Sequence, residues 1–232
     1  MKYASTLAIG VLLLGGLCHS ALRAAEADAE KEPPTPMEVV KPSTERVLQI
    51  LRDPELEGEK KQEKRREMVR KVVADHFDWR ALAKRSLARH WRDRTEEEQE
   101  EFTALFRELL LRTYVSRIEK HADAEITYKD PEIEEGYASV MTVAKTREGQ
   151  EAPIEYRLHK VDNPRLKEDE EKDGQVEGDE EKEPKKVWLI YDVRVEGVSL
   201  VNNYRSQFND IVIGRSYETL VKRLRKKVGA DD

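Results

Sequence analysis

The segment Lys186–Phe208, KVWLIYDVRVEGVSLVNNYRSQF, constrains the fold more than any other part of the chain. Between Val187 and Val195, Val, Trp, Leu, Ile and Tyr crowd together, and such β-branched and aromatic residues favour a pleated surface. The centre is apolar on both faces, Trp188 and Ile190 on one and Leu189 and Tyr191 on the other, as in a strand covered on both sides. Glu196-Gly197 breaks the run, and Ser199 stands where a helix cap belongs. Leu200, Val201, Tyr204, Phe208, Ile211 and Val212 follow at spacings that share one helical face. The segment predicts a buried strand that turns sharply into an amphipathic helix, both aimed at one interior. Asp192 is a carboxylate inside this apolar strand. Burying it alone is costly, so it needs an Arg or backbone donors as partner. Arg205 is the natural candidate for a structural ion pair with Asp192.

The half of the chain before this segment changes period midway. Over Met37–Leu51, Val40, Val47, Leu48 and Leu51 fit one helix face; Pro42 lies inside the pattern and predicts a start at Ser43 or a kink. Glu57–Arg66 is a solvated charge run, and Met68, Val69, Val72, Val73 and Phe77 form the stripe of a second helix. Asp78 is a good N-cap for a third helix, Trp79–His90. Thr95 and Glu98 form a capping box ahead of Phe102, Leu105, Phe106, Leu109, Leu110 and Tyr114, the strongest helical period in the sequence. After His121 the period becomes two. Ala124–Tyr128, Tyr137–Lys145, the stretch around Ile154, Tyr156 and Leu158, and Val187–Val195 read as four strands, with a hairpin turn at Glu148-Gly149-Gln150. Helices followed by strands indicate an α+β fold with a four-stranded antiparallel sheet.

Asn163–Lys186 is dominated by Glu, Asp and Lys and cannot bury a core, so residues 163–185 read as an acidic low-complexity loop. It is a solvated spacer, or else it docks a partner or repels lipid headgroups. Gly214 ends the helix after the fourth strand, and Ser216 caps a last one carrying Tyr217, Leu220, Val221 and Leu224. Its end is basic, with Lys222, Arg223, Arg225, Lys226 and Lys227. Cations there favour the helix dipole; a docking patch for an acidic partner or an anionic membrane is the alternative.

Residues 1–25 read as a cleaved secretory signal, with Lys2 followed by the apolar Leu7–Leu17, too short to span a bilayer. Cleavage fits after Ser20, Ala21 or Ala27; Cys18 would be a lipidation site only if the bulky Leu17 before it were accepted. Residues 26–36 are a flexible entry, and 37–228 form a single domain. A net charge of −6 does not suggest a nucleic-acid groove. His76, His90, His121 and His159 are scattered, without metal spacing, and there is no nucleophile elbow or phosphate-cradling Gly loop. No catalytic residue, metal or cofactor is expected.

The run YDVRVEGVSLVNNYRSQF resembles the signature of the MlaC family, the periplasmic phospholipid-binding "toluene tolerance" proteins of Gram-negative bacteria. FDWRALAKRSLARHWRDRTEEEQEEFTALFRELLLRTY resembles that family's other well-marked block. The family often has Gly where Ala88 stands before Arg89-His90-Trp91, and its members are usually shorter across the acidic loop. The resemblance implies helices wrapped around an apolar cavity on an NTF2-like sheet. It implies a periplasmic phospholipid carrier, without a cofactor, that shuttles lipid between an outer-membrane lipoprotein complex and an inner-membrane ABC transporter with its lipid-binding subunit, and so maintains outer-membrane lipid asymmetry. A monomer is expected. A hopanoid- or other-lipid-binding relative, an NTF2-like cavity enzyme, or a pure adaptor with a filled core and no hollow are the alternatives. Cavities for acyl tails are lined by apolar and aromatic groups with few polar ones. The expected lining is Leu82, Leu105, Phe106, Leu109, Tyr114, Tyr128, Val140, Tyr156, Trp188, Ile190, Val198, Val201, Tyr204 and Phe208. The positions in the signature block match the family; the others follow from amphipathic phase.

Overall fold

The computed structural model describes residues 32–164, 166 and 184–229. The expected signal segment, most of the entry segment and nearly all of the acidic loop lie outside these residues. The elements run α1 (Pro36–Arg52), α2 (Glu59–Ala74), α3 (Trp79–Leu87), α4 (Glu96–Glu119), β1 (Glu125–Tyr128), β2 (Glu132–Glu134), β3 (Tyr137–Lys145), β4 (Glu151–Asp162), β5 (Lys186–Val195), β6 (Val198–Ser199), α5 (Leu200–Gly214) and α6 (Tyr217–Val228). This is the α+β class expected. Among the described residues no helix is long and apolar enough to cross a membrane.

The sheet has six strands rather than four, ordered β1-β3-β4-β5-β6 with β2 beside β3, all pairs antiparallel. The two extra strands escape a periodicity reading because one has three residues with a single apolar side chain, Ile133, and the other only two residues. Glu135-Gly136 and Glu196-Gly197 have positive φ at both positions. That backbone matches the twist of two-residue hairpins, and these turns join β2 to β3 and β5 to β6.

Two helices depart from expectation. α1 does not start at Ser43; it begins with a Thr35/Glu38 capping box and runs through Pro42 as one helix. Pro42 cannot donate a backbone hydrogen bond, and its ring crowds the preceding turn. The Ser43 hydroxyl donates to the carbonyls of Val39 (2.8 Å) and Val40 (2.9 Å), and that of Thr44 also donates to Val40 (2.8 Å). Two side chains thus serve carbonyls in the turn the proline loosens. α3 stops at Leu87, short of His90, because Ala88 takes φ 52°, ψ −122° and a tight turn spans Ala88–Trp91.

The buried apolar residues form three clusters. One lies among α3, α4, α5 and α6 and centres on Phe102, Phe106 and Phe208. A second covers one sheet face, where Val39 and Val40 of α1 meet Ala138, Val140, Leu158, Trp188, Ile190 and Val193. A third, smaller cluster joins the far half of α1 to α2 and to Val115 of α4.

Candidate functional site

The helical layer meets the sheet at an irregularity in β5. Arg157 pairs with Asp192, but the next residue, Leu158, pairs with Ile190, so Tyr191 is an extra residue and β5 bulges there. The backbone of Ile190 serves the segment before α3: its N–H donates to His76 O (2.9 Å), and its carbonyl accepts from Asp78 N–H (2.9 Å). Asp78 therefore joins two layers. One of its carboxylate oxygens accepts from Ala81 N–H at 2.8 Å and caps α3. The other lies 2.9 Å from Nε2 of His159 on β4, which donates to it. Burial pushes the Asp78 carboxyl up, but the His159 hydrogen bond, the Ala81 N–H and the charges of His159 and Arg85 outweigh it and hold the carboxyl below its usual range. The displaced Tyr191 ring is 5% exposed, 5.2 Å from the His159 ring and 4.2 Å below the Arg85 guanidinium of α3. Phe77 packs against both the helical and the sheet cluster.

The second connection is the β5–α5 turn. The Glu196-Gly197 hairpin folds Ser199 back beside Arg194. The Ser199 hydroxyl donates to Asp192 at 2.6 Å and accepts from Asn202 N–H at 3.0 Å, capping α5. The other Asp192 oxygen accepts from Val201 N–H at 3.1 Å. The expected ion pair of Asp192 with Arg205 is not formed. Arg205 is exposed and its Nε donates to the carbonyl of Arg85 at 2.9 Å. The buried carboxylate takes a backbone donor and a hydroxyl at a helix N-terminus instead, where partial positive charge replaces a cation. Fully engaged in this way, Asp192 is a structural group.

The expected lining residues divide between the two layers. Leu82, Leu105, Phe106, Leu109, Val201, Tyr204 and Phe208 are buried in the helical cluster, with half-buried Tyr114 against it. Val140, Trp188 and Ile190 are buried in the sheet cluster, with Tyr128 and Tyr156 packed on it. Val198 belongs to neither: it sits beside the β5–β6 turn and is 61% exposed. Helical phase counted from Ser199 cannot place it, because it lies in the hairpin before the helix begins. Burial raises the hydroxyls of Tyr128 and Tyr204 to about 12, and that of Tyr156 is also raised by burial. All three stay neutral at physiological pH.

Two clefts open elsewhere, away from the expected lining. One of about 530 Å³ is bordered by Arg46, Gln49 and Arg52 of α1 and Met68 of α2. Another of about 310 Å³ lies between α2 and α4 and is bordered by Arg66, Arg70 and Arg112. Among the described residues no group of His, Cys, Asp and Glu is placed to hold a metal. Sequence reasoning missed the joining roles of Phe77, His159 and Tyr191. Phe77 and Asp78 carried a signal, since they open the FDWR block, but the bulge that displaces Tyr191 carries none in a single strand pattern.

A comparison with curated proteins finds no match. Among solved structures, the chain is similar to a phospholipid-binding protein from Ralstonia solanacearum, solved in complex with a phospholipid, with 22% identity and a TM-score of 0.63. The likeness covers 83% of this chain and 96% of that one, and at this identity it is a likeness of fold. The family model of the MlaC protein matches residues 41–169 and 179–226, leaving only part of the acidic stretch unmatched between them. Both blocks singled out in the sequence fall inside the matched residues, and the chain belongs to the MlaC family.

Proposed function

We propose that this protein is a periplasmic phospholipid carrier, which takes up one lipid at a time and passes it between an outer-membrane complex and an inner-membrane ABC transporter. The observation that carries this reading is the family match, which takes in the sheet, the β5–α5 turn and the helical layer together. The fold shared with a phospholipid-bound protein supports it.

Each methylene held out of water is worth about 0.8 kcal/mol, so two tails of about 16 carbons resist aqueous transit by on the order of 20 kcal/mol. A carrier removes that cost by offering an apolar environment equal to the bilayer, and no bond chemistry is needed. Here the apolar surface is already divided into a sheet cluster and a helical cluster that meet at Phe77. The tails lie between them, with Tyr128, Val140, Tyr156, Trp188 and Ile190 on one side and Leu82, Leu105, Phe106, Leu109, Tyr114, Val201, Tyr204 and Phe208 on the other. Side chains that fill this space without lipid move apart as the tails replace their mutual contacts, one apolar contact exchanged for another. The signal segment delivers the chain to the periplasm, and the domain over 37–228 works there as a monomer.

A transfer assay tests this reading. Labelled phospholipid should move from donor to acceptor vesicles at a rate proportional to added protein. Transfer no faster than in buffer alone would refute it.

A further inference from the structure

The outer face of α6 carries a cluster of exposed cations without ion-pair partners among the described residues. The helix buries Tyr217, Leu220, Val221, Leu224 and Val228 against α4 and α5. Its exposed last two turns present Lys222, Arg223, Lys226 and Lys227, and none of the four makes an ion pair among the described residues. Arg225, also exposed, is paired with Glu101 of α4. The chain as a whole carries a net charge of −6, so this end of the molecule opposes the general sign. The helix dipole favours cations near a C-terminus but acts within the last turn, and Lys222 and Arg223 lie before that turn.

We propose that this ridge docks the protein on the surface of a bilayer containing anionic phospholipid. A folded acidic protein is the poorer partner. Protein interfaces concentrate their energy in aromatic and apolar anchors and are depleted in lysine at their centre, whereas every exposed position from Glu218 to Lys227 is charged. Long, unpaired side chains spread over a convex helix suit a flat, diffuse negative charge, which each lysine or arginine near the surface strengthens additively. The proposal goes beyond lipid carriage: the ridge lies on the face of α6 opposite its buried side chains, none of which is among the proposed lining, and docking and loading are separate events.

The test is sedimentation of the full protein with vesicles of phosphatidylcholine alone or mixed with phosphatidylglycerol. The native protein should sediment with the mixed vesicles at low salt, not with phosphatidylcholine, and should be released as salt screens the contact. Lys222→Gln/Arg223→Gln/Lys226→Gln/Lys227→Gln should weaken binding by about tenfold or more. Because all four side chains are exposed, its melting curve and co-purified lipid should match the native protein. Lys222→Gln/Lys226→Gln should weaken binding more than Lys60→Gln/Lys64→Gln, which removes equal charge from the exposed face of α2. No sedimentation of the native protein with mixed vesicles, equal binding by the quadruple variant, or equal losses for the two pairs would overturn the proposal. Loss of co-purified lipid in the native protein would instead count against the carrier reading.

Discussion

The two apolar clusters differ in how their buried rings meet, although cations lie over rings in both, as Arg94 does over Tyr217 at 4.5 Å. In the helical cluster the rings hold one another. Phe106 meets Tyr204 at 5.0 Å and Phe208 at 5.2 Å, and Phe102 meets Phe208 at 5.5 Å, all edge to face. On the sheet, aromatic side chains meet cations near the surface: the Lys41 ammonium lies 5.8 Å from the Tyr128 ring and that of Lys160 lies 5.9 Å from Trp188. Edge-to-face pairs add stabilisation beyond area burial and fix relative positions, and among the described residues no such ring pair joins two aromatics of the sheet cluster. Between the two clusters run directional clasps: the Ile190 backbone pair with His76 and Asp78, the His159–Asp78 pair and the Asp192 cap. The difference teaches that each layer coheres by itself, so that under the proposed carrier function the junction between them is where the interior would open.

The comparison is most severely tested by Phe106→Ala. It removes a ring that is 1% exposed and touches three others, and should cost about 3–5 kcal/mol in chemical denaturation. A cost below about 1 kcal/mol would mean that the helical cluster is not the rigid half. Asp192→Ala comes next. It strands the Val201 N–H and the Ser199 hydroxyl in a buried site and should cost about 3 kcal/mol, while Arg205→Ala should change stability by less than about 0.5 kcal/mol. Equal costs would restore the ion pair that the structure replaces.

The clasp at Asp78 has a pH signature. Its carboxyl is held low in the folded protein, so its contribution is complete above the unfolded aspartate value near ~4 and is lost as pH falls through the lower folded value. Denaturation followed from neutral pH into acid should show this decline in the native protein and a flatter acid limb in Asp78→Asn. At neutral pH Asp78→Asn should cost about 1 kcal/mol. Identical acid limbs would remove the clasp from the account. The smallest effect has the opposite sign. Ala88 occupies a positive-φ conformation that glycine adopts freely, so Ala88→Gly should stabilise the protein by about 1 kcal/mol in thermal melts. Destabilisation would show that the Ala88 methyl contributes more by packing than the backbone conformation costs.

What could be read from the chain, and what could not, follows the range of the interactions. The Thr95/Glu98 capping box, the Phe102–Tyr114 stripe and the Ser199 cap depend on neighbours a few residues away, and each stands in the structure as expected. Pro42 did not break its helix because hydroxyls at the next two positions serve the loosened carbonyls, a rescue that propensity does not register. The partner of Asp192 was legible as a need and not as an identity: burial demanded compensation, and a two-residue turn supplied it locally. The division of the lining residues between two clusters depends on which faces pack together, and the bulge at Tyr191 depends on register with β4. Neither is encoded in periodicity along one strand or helix.

Native mass spectrometry of the protein exported into a Gram-negative periplasm tests phospholipid carriage most directly. The account predicts a mass above that of the polypeptide by one phospholipid with two acyl chains, released as an intact lipid on activation. The polypeptide mass alone, unchanged after incubation with phospholipid vesicles, would contradict it.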